Sequence, residues 1–171
     1  MKRLFLTAMA VFAVSAMFVS CNKQEESSED DGTKYALFFN YGTDSHVTSE
    51  TPVLSDILNK AKELTVEADI ALYGGTRKEY PFPQELSAKT EKDAKAEYNK
   101  LVEMAKSKGA EIIAELNKMK EENAAAIAEY PKDMYLNLDF GFMLLKYTPE
   151  MIGGDTVAET DCGEFKVAGS K

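Results

Sequence analysis

The hydrophobic and polar positions of the chain repeat with two different periods, and the period distinguishes strands from helices. Apolar residues recur at every second position over residues 134–147, which predicts a long strand. Aromatic strand formers predict a first strand over residues 34–41, alternation predicts a strand over 66–72, and a short last strand is predicted over 164–167. Gly141 lies inside the longest strand and predicts a bulge or a bend there.

Two further segments carry apolar residues at helical spacing. The first begins at Thr51-Pro52, where a capping residue precedes proline at the first helical position, and continues to about Leu64. The second covers residues 87–130. Its stripe consists of Ala94, Tyr98, Leu101, Ala105, Gly109, Ile112, Leu116, Met119, Asn123, Ile127 and Tyr130. The stripe repeats every ~3.6 residues, which favours a straight helix packed on a sheet over a coiled coil, whose period is nearer ~3.5.

The length of the second helical segment raises the question of whether it is continuous. One helix along the stripe from Ala94 to Tyr130 would span about 54 Å, whereas a compact domain of this size should be about 35 to 40 Å across. Lys106 and Lys108 followed by Gly109 are typical of a helix C-terminus. The sequence therefore predicts a kink or a helical hairpin near Gly109, and one overhanging helix is the alternative.

Together these elements predict a single α+β domain over residues 34–171. We expect a three- to five-stranded antiparallel or mixed sheet, packed against one short helix and one long helical segment that is either bent or straight. A domain of this length is large enough to enclose one hydrophobic core.

The N-terminus has the pattern of a secretory signal. Lys2 and Arg3 precede residues 4–19, which carry no charge and are too short for a permanent membrane span of about 20 residues. Residues 1–20 are therefore predicted to be a signal peptide. Residues 21–33 contain five acidic side chains and almost no apolar ones, so they are predicted to be a flexible tether.

The sequence Phe18-Val19-Ser20-Cys21 resembles the lipobox of bacterial lipoproteins, in which a small residue precedes a cysteine that is lipidated and becomes the new N-terminus. It departs from the usual pattern at Phe18, where leucine is commonest. The resemblance covers this segment alone and implies that palmitate-type acyl chains on Cys21 tether the mature protein to a membrane. The alternatives are ordinary cleavage after Ala16 and an uncleaved membrane anchor.

The residues after Cys21 indicate which membrane. Residues 23–26 (Lys-Gln-Glu-Glu) resemble the export signal that moves some Gram-negative lipoproteins to the outer face of the outer membrane. Asn22 stands where an aspartate would mark inner-membrane retention in that family. The resemblance implies a lipid-anchored protein of the bacterial outer membrane that is exposed on the cell surface if the export signal is read.

The acidic charge of the chain excludes two classes of partner. Removing residues 1–20 removes two cations and no acidic residue, which leaves 18 Lys plus Arg against 29 Asp plus Glu and a net charge of −11. A field of this sign repels nucleic acids and anionic lipid headgroups. We expect no nucleic-acid partner, and we expect contact with the membrane through Cys21.

Residues that commonly carry catalysis are scarce. His46 is the single histidine, and Cys162 is the single cysteine apart from Cys21, so no disulfide within the mature chain is expected. The consecutive residues Asp44-Ser45-His46 cannot converge as a hydrolytic triad, and a dyad of Cys162 with His46 would need the fold to bring them together. We therefore predict no catalytic residues and no cofactor.

Metal ligands do not occur in a recognisable pattern either. Asp155, Glu159, Asp161 and Glu164 could surround a hard cation only if their segment folded back on itself. One histidine and one free cysteine cannot form the usual zinc sets. A solvated acidic loop is expected instead, and no metal site is predicted.

Tyrosines are the remaining candidates for ligand binding. Six lie on or beside predicted strands: Tyr35, Tyr41, Tyr73, Tyr80, Tyr135 and Tyr147. Tyrosines on an exposed sheet face can stack on a sugar or anchor a protein partner, whereas packing in the core is the competing interpretation.

The sequence leads to one favoured function and two alternatives. We expect an outer-membrane lipoprotein that serves as a non-enzymatic binding or accessory module for an envelope protein or a glycan. The alternatives are an envelope hydrolase that uses paired carboxylates and a structural or assembly lipoprotein that pairs through its long helix. A cleft with two carboxylates about 5 to 10 Å apart would favour the hydrolase, whereas a flat, tyrosine-rich face would favour binding.

Overall fold

The structure of the chain is a computed structural model. It describes residues 32–74, 83–148 and 154–171. The predicted signal peptide, the lipidation site Cys21, most of the tether and Tyr80 lie outside the described residues.

The described chain contains four strands and three helices, and all three helices lie between the first and the third strand in the sequence. They are β1 (Lys34–His46), α1 (Pro52–Tyr73), β2 (Gln84–Glu85), α2 (Glu91–Glu122), α3 (Ala124–Ala128), β3 (Tyr135–Tyr147) and β4 (Asp155–Ala168). Within the described residues the strands form one four-stranded antiparallel sheet in the order β2-β1-β3-β4. This arrangement confirms the predicted α+β fold, and the sheet is antiparallel rather than mixed.

The two central strands are paired along their whole length. β1 and β3 pair from Lys34 opposite Tyr147 to His46 opposite Tyr135. β4 pairs with the other edge of β3 over nearly the same length, and β2 adds two residues beside β1. The long strands therefore extend for about 44 Å, at about 3.4 Å per residue.

The hydrophobic core lies between one face of the sheet and the helices. The sheet contributes alternate residues of β3, which are Leu136, Leu138, Phe140, Phe142 and Leu144. The helices contribute residues that include Leu54, Ile57, Tyr98, Ile112 and Leu116. The rings of Phe142 and Tyr98 stack with their centroids 4.8 Å apart. Alternate burial along β3 confirms the strand predicted from the period of two.

The strand predicted over residues 66–72 is wrong, because α1 continues through this segment to Tyr73. The buried residues at this end of α1 include Ala61, Thr65, Ala68 and Leu72, which are three or four positions apart, as on one face of a helix. Four apolar residues at alternate positions are too few to distinguish a strand from a buried helix. Gly74 ends the helix with a φ of 70°, a left-handed conformation that glycine adopts without strain.

The kink or hairpin predicted near Gly109 is also wrong, because α2 runs unbroken from Glu91 to Glu122. Gly109 is where the helix approaches the sheet most closely: a Cβ atom at this position would lie 2.2 Å from the backbone oxygen of Cys162. The glycine therefore serves close packing rather than helix termination.

A kink near Gly109 is expected only if the domain is roughly spherical. The domain is elongated along its strands instead. The 32 residues of α2 span about 48 Å, similar to the length of the strands that the helix covers. The helix ends at Asn123, whose side-chain amide donates to the carbonyl oxygen of Met119 at 2.8 Å.

The last strand is much longer than the predicted segment 164–167, since β4 covers Asp155–Ala168. The bulge predicted at Gly141 is confirmed by a register shift between Phe140 and Gly141. Gly141 lies opposite Asp161 and Phe140 lies opposite Gly163, which leaves Cys162 as the extra residue of β4.

Candidate functional site

The side of the sheet opposite the core carries its own set of side chains, and we call it the open face. Its residues are Lys34, Ala36, Phe38, Asn40, Gly42, Asp44 and His46 of β1, Tyr135, Asn137, Asp139, Gly141, Met143, Leu145 and Tyr147 of β3, and Thr156, Glu159, Asp161, Glu164, Lys166 and Ala168 of β4. The helices enclose a core on the other side, and Phe38, Met143 and Leu145 are not members of that core.

The open face is apolar at the end where β1 begins. Ala36 and Phe38 are buried there, at 0% and 7% exposure, and their neighbours Met143 and Leu145 on β3 are half-buried. Ala36 and Phe38 therefore offer little further area to a partner, whereas Met143 and Leu145 keep part of their surface exposed.

The other end of the open face carries four carboxylates, which we call the acidic patch: Asp44, Asp139, Asp161 and Glu164. Asp139 of β3 lies directly opposite Glu164 of β4. Desolvation, followed by the charge of Glu164, raises the pKa of Asp139, and Asp161 and Asp44 act in the same direction. The Nζ atom of Lys166 lies 2.6 Å from Glu164, so one cation stands among four carboxylates in this part of the described structure.

Two glycines lie diagonally across from each other, on β1 and β3, beside the acidic patch. Gly42 of β1 is opposite Asp139, and Gly141 of β3 is opposite Asn40, two residues away along β1. A Cβ atom on Gly42 would meet nothing nearer than the backbone oxygen of Asp139 at 3.9 Å, and one on Gly141 nothing nearer than a carboxylate oxygen of Glu159 at 3.7 Å. The bulge accounts for Gly141, but neither a positive φ nor a close contact accounts for Gly42.

Two of the predicted tyrosines lie on the open face, at opposite ends of β3. The hydroxyl of Tyr135 donates to Asp44 at 2.9 Å, and this bond raises the pKa of Tyr135. The hydroxyl of Tyr147 donates to Glu85 at 2.9 Å. Glu85 also accepts from Lys34 at 2.9 Å, and these hydrogen bonds lower its pKa.

Three other predicted tyrosines belong to the core side of the sheet. Tyr35 is buried in the core, and Tyr41 packs against Phe140 with ring centroids 6.1 Å apart. Tyr73 packs against Phe142, and burial raises the pKa of its hydroxyl. Tyr80 lies outside the described residues. The structure therefore does not bring the described tyrosines together on one surface.

His46 and Cys162 are far apart. His46 is exposed at the end of β1, opposite Tyr135, and its Nδ1 atom lies 3.0 Å from the backbone oxygen of Asp133. Cys162 is buried beside Phe140 of the core, five residues further along β3, or about 17 Å. Burial, assisted by the charge of Asp161, raises the pKa of the Cys162 thiol to about 11. The two residues cannot act as a dyad.

The acidic residues considered as metal ligands lie along the extended strand β4 rather than on a folded-back loop. Within residues 32–74, 83–148 and 154–171, no group of three or more His, Cys, Asp or Glu side chains is arranged to hold a metal ion.

A small pocket of about 110 Å³ lies between α1 and α2. Its lining consists of Leu64, Glu67, Ala68, Lys108, Glu111 and Ile112. Ligand pockets usually measure about 300 to 1,000 Å³, so this one is too small for most metabolites. The Lys108 ammonium lies 2.6 Å from Glu111 and lowers the pKa of that carboxyl group, which disfavours Glu111 as a proton donor.

From the sequence, Asp44 stands out only as part of a triad that cannot form, and Asp139 does not stand out. The period of two along β3 could have placed Asp139 on the face opposite the core. Its neighbours, however, depend on the pairing of β1, β3 and β4 and on the bulge after Phe140.

Comparison with known proteins finds no matching family model, no matching curated protein and no matching solved structure. None of the helices in the described part of the chain is both long and apolar enough to cross a membrane.

Proposed function

We propose that the mature protein is a lipoprotein of the bacterial outer membrane, anchored through Cys21, and that it is a non-enzymatic module that binds an envelope protein. The open face is the observation that carries this proposal. The helices cover one side of the sheet, and the other side presents carboxylates and two glycines on three neighbouring strands. A surface of this kind suits a macromolecule, because small ligands occupy concave pockets.

A protein partner is favoured over a glycan by the positions of the tyrosines. Tyr135 and Tyr147 are separated by the length of β3, which is about 41 Å. One sugar cannot stack on both rings. Each hydroxyl is also engaged by a carboxylate of its own neighbourhood.

The alternative of assembly through the long helix has less support. The apolar stripe of α2, including Tyr98, Ile112 and Leu116, already packs in the core. Among the described residues, Met104 is the large hydrophobic side chain that is exposed, at 46%. A helix needs a continuous apolar stripe to pair with another helix.

A hydrolase is the second candidate, and it rests on one pair of carboxylates. Asp139 and Glu164 are directly opposite on neighbouring strands, and the pKa of Asp139 is raised, as a general acid requires. The pair lies on a sheet face rather than in a cleft. The hydrolase would be favoured over the binding module if the protein hydrolyses purified envelope glycans and Asp139→Asn abolishes this activity.

The anchor is tested by feeding cells a labelled fatty acid and comparing the parent with Cys21→Ala. We expect the parent chain to carry the label and the variant to lose it, because Ser20-Cys21 ends an apolar run that is too short to span a bilayer. Label retained by the variant would contradict lipidation at Cys21.

The binding surface is tested by photo-crosslinking in intact cells. A photoreactive residue replaces Asn137 on the open face, and a matched one replaces the exposed Asn117 on α2. We expect a discrete adduct with one protein from position 137 and none from position 117. Equal adducts from both positions, or none from either, would contradict the proposal.

A further inference from the structure

We infer that the partner presents a basic, extended segment to the open face, whose arginine or lysine side chains lie over Gly42 and Gly141 and whose charges meet the acidic patch. The inference rests on the proposed binding function and names the chemistry of the partner.

Charge complementarity is the first reason. The four carboxylates of the acidic patch are distributed over three adjacent strands, and Lys166 is bound to one of them, Glu164. Asp139 lies directly opposite Glu164, and burial, followed by the charge of Glu164, raises the pKa of Asp139. A cationic side chain from a partner would relieve this repulsion, and arginine forms paired hydrogen bonds with carboxylates.

The same charge disfavours other occupants. The tether segment 22–31 contains five acidic residues and only Lys23 as a cation, so the patch repels it. A second copy of the chain would place one acidic patch against another. A negatively charged glycan or lipid would be repelled in the same way.

The glycines provide the second reason. A glycine inside a strand destabilises it relative to alanine, and it often marks a place where another chain approaches closely. Gly42 has room for a Cβ atom, whose nearest neighbour would be the backbone oxygen of Asp139 at 3.9 Å, and a backbone conformation that any residue can adopt. Its missing side chain leaves room at the edge of the acidic patch for the apolar stem of an arginine or a lysine.

Tyr135 completes the surface. Its ring stands next to the acidic patch, held by the hydrogen bond from its hydroxyl to Asp44. A guanidinium group can stack on such a ring while it binds the neighbouring carboxylates. Aromatic rings and arginines are the residues that most often dominate binding energy at protein interfaces.

The test uses the full chain, purified in a neutral detergent, and two fluorescent nine-residue peptides. One peptide alternates serine with arginine, so that every arginine faces one side of the extended chain, and the other carries glutamine in place of arginine. Binding is measured by fluorescence anisotropy. We expect the arginine peptide to bind at least about tenfold more tightly than the glutamine peptide, and less tightly as salt is added.

Two variants locate the site. The double variant Asp139→Asn and Glu164→Gln should weaken binding of the arginine peptide about tenfold or more. The control is the double variant Glu97→Gln and Glu121→Gln on the exposed side of α2. Its affinity for the arginine peptide should stay within about twofold of the parent's. Gly42→Leu should block the peptide sterically, and its matched control is Asn117→Leu on α2. Circular dichroism checks that each variant is folded. If Gly42→Leu does not fold, the double variant Asp139→Asn and Glu164→Gln alone decides where the peptide binds.

The outcomes separate this inference from the proposed function. Equal binding of both peptides, or equal loss in the α2 charge control, would overturn the basic partner. An adduct at position 137 with a partner segment that has no basic residues would also overturn it and would leave the binding function standing. If neither peptide binds and position 137 gives no adduct, both fail together.

Discussion

The two faces of the sheet are built from the same strands but obey different packing rules. On the core face, Phe142 is fully buried and stacked against Tyr98, and Gly109 of α2 touches the backbone of β4. On the open face, one residue away along β3, Met143 is half-buried and lies outside the core. Adjacent residues of one strand can differ in this way, because successive side chains point to opposite sides of the sheet. The core face therefore tolerates little change, and the open face tolerates more.

The largest expected difference between the faces is in how much the free energy of unfolding falls when a side chain is replaced by alanine. Phe142→Ala should lower the free energy of unfolding by about 3 to 5 kcal/mol, since it removes a fully buried ring and leaves a cavity. Met143→Ala, the adjacent residue on the open face, should lower it by about 1 kcal/mol. Urea unfolding followed by circular dichroism measures both. Equal losses would show that the open face belongs to the core.

Thiol reactivity should differ by about a hundredfold between the faces. The pKa of Cys162 is raised to about 11 from an ordinary 9.0, so at pH 8 its reactive thiolate is about two orders of magnitude rarer. We expect slow alkylation by iodoacetamide in a Cys21→Ala chain. Glu159→Cys, three residues away on the open face, should react at the rate of a free thiol when Cys162 is replaced by alanine. Similar rates would contradict the burial of Cys162.

The same substitution should have opposite effects at two glycines. Gly109→Ala should destabilise the protein by about 2 kcal/mol, because the added methyl group meets the backbone of Cys162 at 2.2 Å and outweighs the better helix propensity of alanine. Gly42→Ala should be neutral or stabilising by up to about 1 kcal/mol, since nothing crowds its Cβ atom. Chemical denaturation of the two variants makes the comparison, and destabilisation by Gly42→Ala would show that the fold itself requires this glycine.

The smallest expected effect is on the pH dependence of stability. The pKa of Asp139 is raised in the folded protein above its ordinary 3.8, so the folded state holds this proton more tightly than the unfolded state. Its contribution favours folding below about pH 4 and is lost as the pH rises through the raised pKa. Asp139→Asn should remove this loss, giving higher stability at pH 7 and a flatter curve above pH 4. Urea midpoints between pH 3.5 and 7 measure the curve, and Glu97→Gln is the charge-matched control.

Elements with long, regular patterns could be predicted from the sequence. The apolar alternation over residues 134–147 gives β3 almost to the residue, and the stripe from Ala94 to Leu116 gives the buried side of α2. The bulge at Gly141 was also predictable, since glycine inside a long strand commonly has this role. In each case the local pattern and the tertiary packing agree.

Predictions failed where tertiary packing decides between two local possibilities. Residues 66–72 fit a strand or a helix equally well by period, and packing against α2 makes them helical. Gly109 resembles a helix terminator, but it is required for close approach to Cys162. The acidic patch could not be predicted because it combines residues more than a hundred positions apart, such as Asp44 and Glu164, through strand register.

The full-length pairing of β1 with β3 also has a mechanical consequence. The chain that leads from the predicted anchor enters the domain at Lys34, and the acidic patch lies towards the opposite end of the same strand. A pull between these two points runs parallel to the strands, whereas the hydrogen bonds between antiparallel strands lie perpendicular to them. The bonds along β1 are then sheared together rather than opened one after another, so the sheet can carry tension between Lys34 and the acidic patch without peeling apart.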